Sequence, residues 1–233
     1  RATQIGFAKN ARILFKDTPI LYMPWLDFPL NNQRKSGLLP PAFGTSVSGG
    51  FEYTQPWYWN IAPNMDATIT PKIFTKRGLQ AGSEFRYLVT SFGGLAAAEF
   101  LPNDRGSGGD NRFLIALTHE HKISAGWSGG INLQKVSDDD YFRDLSTRIA
   151  ATSQTYLPRE GTLNYVDDNW TFGARVLHYQ TLKDPRAPEL TPTPYQLQPK
   201  LTLRGYKQNV FGTDVALDSD FTQFQHPTLV SGR

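Results

Sequence analysis

Apolar and polar residues alternate along most of this chain. Between Ala67 and Phe74, Ala67, Ile69, Pro71 and Ile73 fall on one face of an extended backbone, and Thr68, Thr70 and Lys72 on the other. The segment from Tyr195 to Arg204 is cleaner: Tyr195, Leu197, Pro199, Leu201 and Leu203 alternate with Gln196, Gln198, Lys200, Thr202 and Arg204. Weaker copies place Phe85, Tyr87 and Val89, then Phe113, Ile115 and Leu117, then Trp127, Ile131 and Leu133, then Val215, Leu217 and Phe221 on one face of their segments. No stretch keeps a helical period. Turn signals separate the runs at Ala62-Pro63-Asn64, Lys76-Arg77-Gly78, Phe92-Gly93-Gly94, Asp167-Asp168-Asn169 and Gln208-Asn209. Pro102 to Asn111 and Lys183 to Pro194 read as longer loops. The pattern predicts an all-β protein with about eleven strands after residue 48.

Two architectures satisfy alternation. In a soluble sandwich the apolar face is the core; in a membrane barrel it meets lipid and the polar face lines the lumen. Several runs reach about ten residues, against five or six in soluble strands. Eleven residues at about 3.4 Å each and about 45° tilt rise roughly 26 Å, the height of the apolar band of outer-membrane barrels. The polar faces carry Glu84, Arg86, Glu99, Lys200 and Arg204, which a hydrated lumen tolerates. Short turns alternating with longer loops add to the barrel reading. The predicted lipid-facing set is Ile69, Ile73, Phe85, Tyr87, Phe113, Ile115, Leu197, Leu201 and Leu203. The first 48 residues differ: Ala11 to Phe15 and Pro19 to Pro24 read as a hairpin, and Pro40-Pro41 marks a connection to the strand series.

Composition narrows the classes. The chain of 233 residues has 20 Gly and 16 Pro beside 15 Phe, 10 Tyr and 5 Trp, which disfavours helix bundles. A formal charge of +3 is too small to argue for nucleic acid. Zero Cys excludes thiol nucleophiles, Cys-based zinc sites and disulfides within these residues. No apolar run approaches a membrane helix. The chain begins at Arg1 without Met or a signal peptide and stops in a polar stretch, as an internal piece of something longer would.

Candidate chemistry is sparse. His119-Glu120-His121 puts two His on one strand face, without a third ligand cluster or a helical H-E-x-x-H, and reads as a strand with exposed His. Asp138-Asp139-Asp140 lacks EF-hand spacing and reads as a solvated turn. Gly106-Ser107-Gly108-Gly109 has no following Lys-Ser/Thr and is a loop. Ser153 with His119 and Asp138 lacks a nucleophile elbow. No catalytic residue, metal site or cofactor is expected. An outer-membrane barrel enzyme of the lipase or protease type would need one of the four His; a soluble β-sandwich ligand-binding protein is the other alternative. Pro56 and Pro71 each sit in mid-run, where proline removes a ladder donor. A turn centred between Pro63 and Asn64 sets them opposite each other in the first hairpin. Bulges that shape a barrel are one reading of them.

Pro19-Ile20-Leu21-Tyr22-Met23-Pro24-Trp25-Leu26, Arg34-Lys35-Ser36-Gly37, the run from Trp57 to Thr68, Lys76-Arg77-Gly78-Leu79, Glu84-Phe85-Arg86-Tyr87-Leu88 and Lys135-Val136-Ser137-Asp138 together resemble the LptD family of lipopolysaccharide (LPS)-assembly proteins. The resemblance is carried by roughly residues 11–145. It implies the end of a periplasmic β-jelly roll followed by part of a large antiparallel transmembrane β-barrel. Residues 1–40 would be the last jelly-roll strands, 41–48 a linker and 49–233 the incomplete barrel. It implies a Gram-negative outer-membrane translocon that inserts LPS into the outer leaflet, without catalysis and with its N-terminal part in the periplasm. The implied partners are LPS, the lipoprotein LptE inside the barrel, the periplasmic bridge protein LptA and outer-membrane lipid. Pro56 and Pro71 would loosen a lateral gate, and Ile13, Phe15, Ile20, Tyr22 and Phe28 would line the acyl-chain path of the jelly roll. An ordinary sandwich core is the other reading of those five apolar residues.

Overall fold

The computed structural model describes residues 5–15, 17–30, 34–145, 154–184, 186–187, 189 and 191–227. Ser153 lies outside them. The fold is all-β, as the alternation predicts. Strands β1 (Ile5–Phe15) and β2 (Thr18–Pro29) form an antiparallel hairpin, a two-stranded sheet of its own. Among the described residues, every later strand segment joins one antiparallel sheet of thirteen. These are β3 (Gly37–Leu38), β4 (Ala42–Ser46), β5 (Gly50–Thr54), β6 (Trp57–Ala62), β7 (Met65–Phe74), β8 (Gly78–Leu88), β9 (Phe92–Asp104), β10 (Asp110–Ser124), β11 (Trp127–Val136), β12 (Tyr156–Val166), β13 (Trp170–Thr181), β14 (Gln196–Val210) and β15 (Thr213–Gln225). From β7 to β15 each strand pairs with the next in sequence. A single sheet replaces the two stacked sheets that a sandwich requires. The eleven segments from β5 to β15 match the expected number, but β5 and β6 are two halves of one interrupted strand, both paired with β7.

Register fixes the faces. Ile69 pairs Ser83, Ser83 pairs Ala98 and Ala98 pairs Ile115, so these side chains share one side. The same bookkeeping adds Ile73, Phe85, Tyr87, Phe113, Leu201 and Leu203. Ile69, Ile73, Ile115 and Leu203 are exposed there. Leu197 lies across a bulge from Lys200, where the alternation resets. The opposite face carries Asp66, Thr68, Thr70, Lys72 and Phe74 of β7, and Phe74 is buried with Leu101, Val136, Leu157 and Leu182 against a short helix, α1 (Tyr141–Leu145).

Several turn assignments shift. The β8–β9 turn falls at residues 89–91, and Gly93 and Gly94 are strand residues. The reason is packing across the strand: a Cβ on Gly94 would lie 2.5 Å from the Tyr87 hydroxyl, so the glycine makes room for the aromatic side chain of its strand partner. The loop expected from Pro102 to Asn111 shrinks, because β9 continues to Asp104 and a 3₁₀ turn, Arg105–Ser107, is capped by the Asp104 carboxylate. The β14–β15 turn is Phe211-Gly212, both at positive φ, with Asn209 before it also at positive φ. Residues 42–46, inside the stretch expected as a linker, are the paired strand β4; the interruption is carried by Leu39-Pro40-Pro41 before it.

Candidate lateral seam at the first strands

The short segments β3 to β6 are one hairpin with a break through its middle. β4 pairs β5 over five positions, from Ala42↔Thr54 to Ser46↔Gly50, and β3 pairs β6 over two, Gly37↔Tyr58 and Leu38↔Trp57. Between them lie Leu39-Pro40-Pro41 on one side and Gln55-Pro56 on the other. Pro71 of the next strand reaches the same level, because its carbonyl accepts from the Gln55 amide at 3.1 Å. Four prolines therefore surround Gln55.

The register corrects one expectation. β7 pairs Trp57 with Ile69 and Thr54 with Lys72, which sets Gln55, not Pro56, opposite Pro71. The one-residue offset comes from a bulge between Asn60 and Ala62, next to the turn. The two prolines thus weaken different ladders. The N and C=O of a residue in an antiparallel strand point the same way. The Pro56 carbonyl accepts from the Leu39 amide at 2.9 Å, so its missing N–H is lost to the β3/β4 side; the missing N–H of Pro71 is lost to the carbonyl of Gln55. Gln55 compensates in part. Its side-chain amide donates to the Leu39 carbonyl at 2.8 Å, the acceptor Pro56 leaves without a donor. Pro40, Pro41 and Gln55 are not among the gate residues expected from the sequence; the Pro-Pro pair is legible there, but its place opposite Gln55 depends on pairing.

Below the break, Arg34 donates to Asp66 at 2.7 Å and to the Pro63 carbonyl, Arg86 donates to the other Asp66 oxygen at 2.7 Å, and the Ser36 hydroxyl accepts from the Asn60 amide. Above it, the hairpin is crowded. Lys72 and Glu52 form a buried ion pair at 2.8 Å, and the Ser46 hydroxyl donates to Glu52 at 2.6 Å. Between the broken hairpin and α1 lies a hollow of about 770 Å³, lined in part by Leu39, Phe43, Glu52, Pro56, Tyr141 and Phe142. Its walls mix apolar and charged groups.

The helix α1 has no signal in the periodicity, being five residues long. Residues 138–140 form the expected turn, with Asp139 exposed, but Asp138 has specific partners. Its carboxylate takes two bonds from Arg112, at 2.6 and 2.9 Å, and accepts from the Asp140 amide at 3.1 Å at the start of the helix. Burial opposes its charge, but the hydrogen bonds from Arg112 and Ser137 hold its carboxyl below the usual 3.8. Tyr141 is driven the other way: burial, and then the adjacent Glu99 carboxylate, which accepts its hydroxyl proton at 2.7 Å, push the phenol upward. His119 and His121 lie on the exposed apolar face beside Phe92, with the Tyr87 hydroxyl 2.7 Å from His119 Nδ1.

In the β1–β2 hairpin, Ile13 pairs Leu21, Phe15 pairs Thr18 and Phe28 pairs Gly6. The side chains of Ile13, Phe15, Ile20 and Phe28 are outside the part of the chain described. Tyr22 is exposed, donates to Asn10 at 2.7 Å and has the Arg12 guanidinium over its ring at 5.7 Å.

Comparison with known proteins settles the family. The family model for LPS transport system D matches residues 110–231. LPS-assembly protein LptD of Nitrosomonas eutropha is 42% identical over 234 residues, covering 98% of this chain and 32% of that protein. Its counterpart in an Azoarcus species is 45% identical over 227 residues, covering 96% of this chain and 27% of the relative. That of Bordetella avium is 41% identical over 229 residues, covering 98% and 28%. The chain spans about a third or less of the length of these curated relatives. With a family match over its last strands and relatives aligned over 96–98% of its own length, the chain belongs to the LptD family.

Proposed function

We propose that this chain is part of an outer-membrane translocon that delivers LPS to the outer leaflet through a lateral seam at the first strands of its sheet. The observation that carries the reading is the four-proline break around Gln55, placed at the first hairpin of a sheet whose other side is an exposed apolar face. Strands of 10 to 15 residues from β7 to β15 suit a bilayer span. The lipid-facing residues are Ile69, Ile73, Phe85, Tyr87, Phe113, Ile115, Leu201 and Leu203, and the opposite face is lumenal.

Residues 1–40 would be the end of a periplasmic jelly roll, receiving LPS from the bridge protein LptA, with Phe15, Ile20, Tyr22, Phe28 and Ile13 along the acyl-chain path. The remainder would be the first part of a barrel that encloses the lipoprotein LptE. The reading involves no bond-breaking step and no cofactor, so the work is done elsewhere and transmitted along the bridge.

The test is the double Pro56→Ala, Pro71→Ala variant of the full-length protein with its partner. Normal assembly with reduced LPS at the cell surface, and LPS retained against Phe15 or Tyr22 in photocrosslinking, is the expected result. Normal surface delivery would assign the prolines to barrel shape alone.

A further inference from the structure

The loop end of the first hairpin meets a cluster of charges that the seam itself does not use. Arg112, with 2% of its side chain exposed, is surrounded by three carboxylates: Asp138, Asp144 at 2.9 Å and Asp104 at 3.2 Å. Arg77, 4% exposed, closes the other side, 2.6 Å from Asp104 and 3.1 Å from Asp144. These five groups come from four places: the β7–β8 turn, the end of β9, the start of β10 and the segment that holds α1. Asp104 is fully buried. A carboxylate buried like Asp104 is costly to leave unpaired, while Asp138 and Asp144 keep 37% and 26% of their side chains exposed.

Asp144 does more than join the cluster. Its side chain bridges the two arginines, and its backbone carbonyl accepts from the Ser48 hydroxyl at 3.3 Å, in the β4–β5 turn. The same turn is held from β7–β8 as well: the Lys76 amide donates to Gly49, the Lys76 ammonium to Val47 at 2.9 Å, and the Thr75 amide to Phe51. Tyr141 fixes α1 from beneath, with its hydroxyl between Gln80 and Glu99 and its ring 5.6 Å from the Arg112 guanidinium. Charge cluster, helix and hairpin turn are one connected body.

We infer that α1 and this arginine–aspartate cluster form a latch that holds the loop end of the β4–β5 hairpin in place, with Arg112 as its hub and Asp144 as the positioning residue that couples hub to hairpin. The inference rests on the reading of these strands as a seam. It adds that the seam has a fixed end and a weak middle, so that opening starts at the prolines and stops at the latch unless the cluster is broken.

Amide hydrogen exchange on the full-length protein with its partner in lipid nanodiscs tests it. In Asp144→Ala the amides of Ala42–Ser46 and Gly50–Thr54 should exchange about tenfold or more faster, with β13 and β14 unchanged. Ser48→Ala, which leaves the cluster whole, should give a smaller rise confined to the same hairpin and serves if Asp144→Ala fails to assemble. Arg143→Ala, an exposed neighbour bonded to Asp140 and Asp184, should change nothing in the hairpin. Unchanged exchange in the hairpin in both test variants, or an equal rise in every strand, overturns the latch. LPS delivery is scored separately: a protein that shows the hairpin effect but never carried LPS would remove the transport reading and leave the latch standing.

Discussion

One hairpin holds two opposite solutions to backbone pairing. At its loop end, β4 and β5 pair over five consecutive positions, and Glu52, Lys72, Ser46 and Ser48 tie it to its surroundings. Further along, beside Pro40-Pro41, Pro56 of the hairpin and Pro71 of the next strand withdraw donors from two adjacent ladders, and a glutamine side chain fills one of the vacant roles. The loop end joins buried charges, where loss of one partner is costly; the middle has only single hydrogen bonds to lose. In the proposed seam, parting starts at the level of the prolines and not at the loop end.

The largest expected effect comes from removing the hub. Arg112→Met leaves Asp104 and Asp144 to Arg77 alone and Asp138 with no arginine, and breaking a buried pair costs about 3–5 kcal/mol. The full-length variant should lose heat-resistant folded mobility on mild-detergent gels at temperatures the parent survives; parent-like mobility would mean the cluster is more hydrated than its burial indicates. Next comes the test of faces. Ile115→Arg places a charge on the exposed apolar side and should cost about 2–4 kcal/mol at mid-depth, while Thr118→Arg, opposite Leu95 and Asn132 on the other face, should cost far less. Equal folded yields in outer-membrane fractions would refute the facing assignment.

The two halves of that comparison are unequally visible in the sequence. Strand identity and faces follow from local alternation, so Ile69, Ile115 and Leu203 are placed from their neighbours alone. Register does not. A single bulge at Asn60 moves Pro71 from opposite Pro56 to opposite Gln55, and no local signal marks that bulge. Gly93-Gly94 resembles a turn in sequence because glycine's need for space beside Tyr87 is a cross-strand property. The latch is the least legible part: Arg77, the neighbouring Asp104 and Arg112, and Asp144 come from three separate stretches of the chain and meet only through the sheet. The Asp138-Asp139-Asp140 run is visible, yet its chemistry comes from an arginine on another strand.

The prolines sharpen the comparison at smaller energy. A net hydrogen bond is worth about 0.5–1.5 kcal/mol, so each restored donor has at most that effect. The two sites are not equivalent. In Pro56→Ala the new N–H would meet a Leu39 carbonyl already served by Gln55, whereas in Pro71→Ala it would supply the Gln55 carbonyl with the ladder donor that proline denies it. Pro71→Ala should therefore slow exchange of the β5–β7 amides more than Pro56→Ala slows those of β3 and β6. Adding Gln55→Ala to Pro56→Ala should uncover the full gain at position 56. Equal effects of the two single changes would show that Gln55 does not substitute for the missing donor.

The smallest effect separates the latch from the break by pH. Asp138 is held below 3.8 in the folded protein, chiefly against burial and by virtue of its bonds from Arg112 and Ser137. Between that depressed value and 3.8 the unfolded segment binds more protons than the folded one, so stability rises with pH across this window. The contribution of Asp138 is fully present above the ordinary carboxylate value and is lost as the pH falls through the folded one. Acid should thus loosen α1 while leaving the proline break, which carries no titrating bond at its centre, unchanged. Pepsin cleavage at Tyr141–Leu145 should rise steeply as the pH drops below 3.8, after correction for the enzyme's own pH profile. In Asp138→Asn, cleavage should be raised already at the upper end of the range and show a shallower dependence. A steep acid rise that persists in Asp138→Asn would show that Asp138 does not set the acid sensitivity of α1.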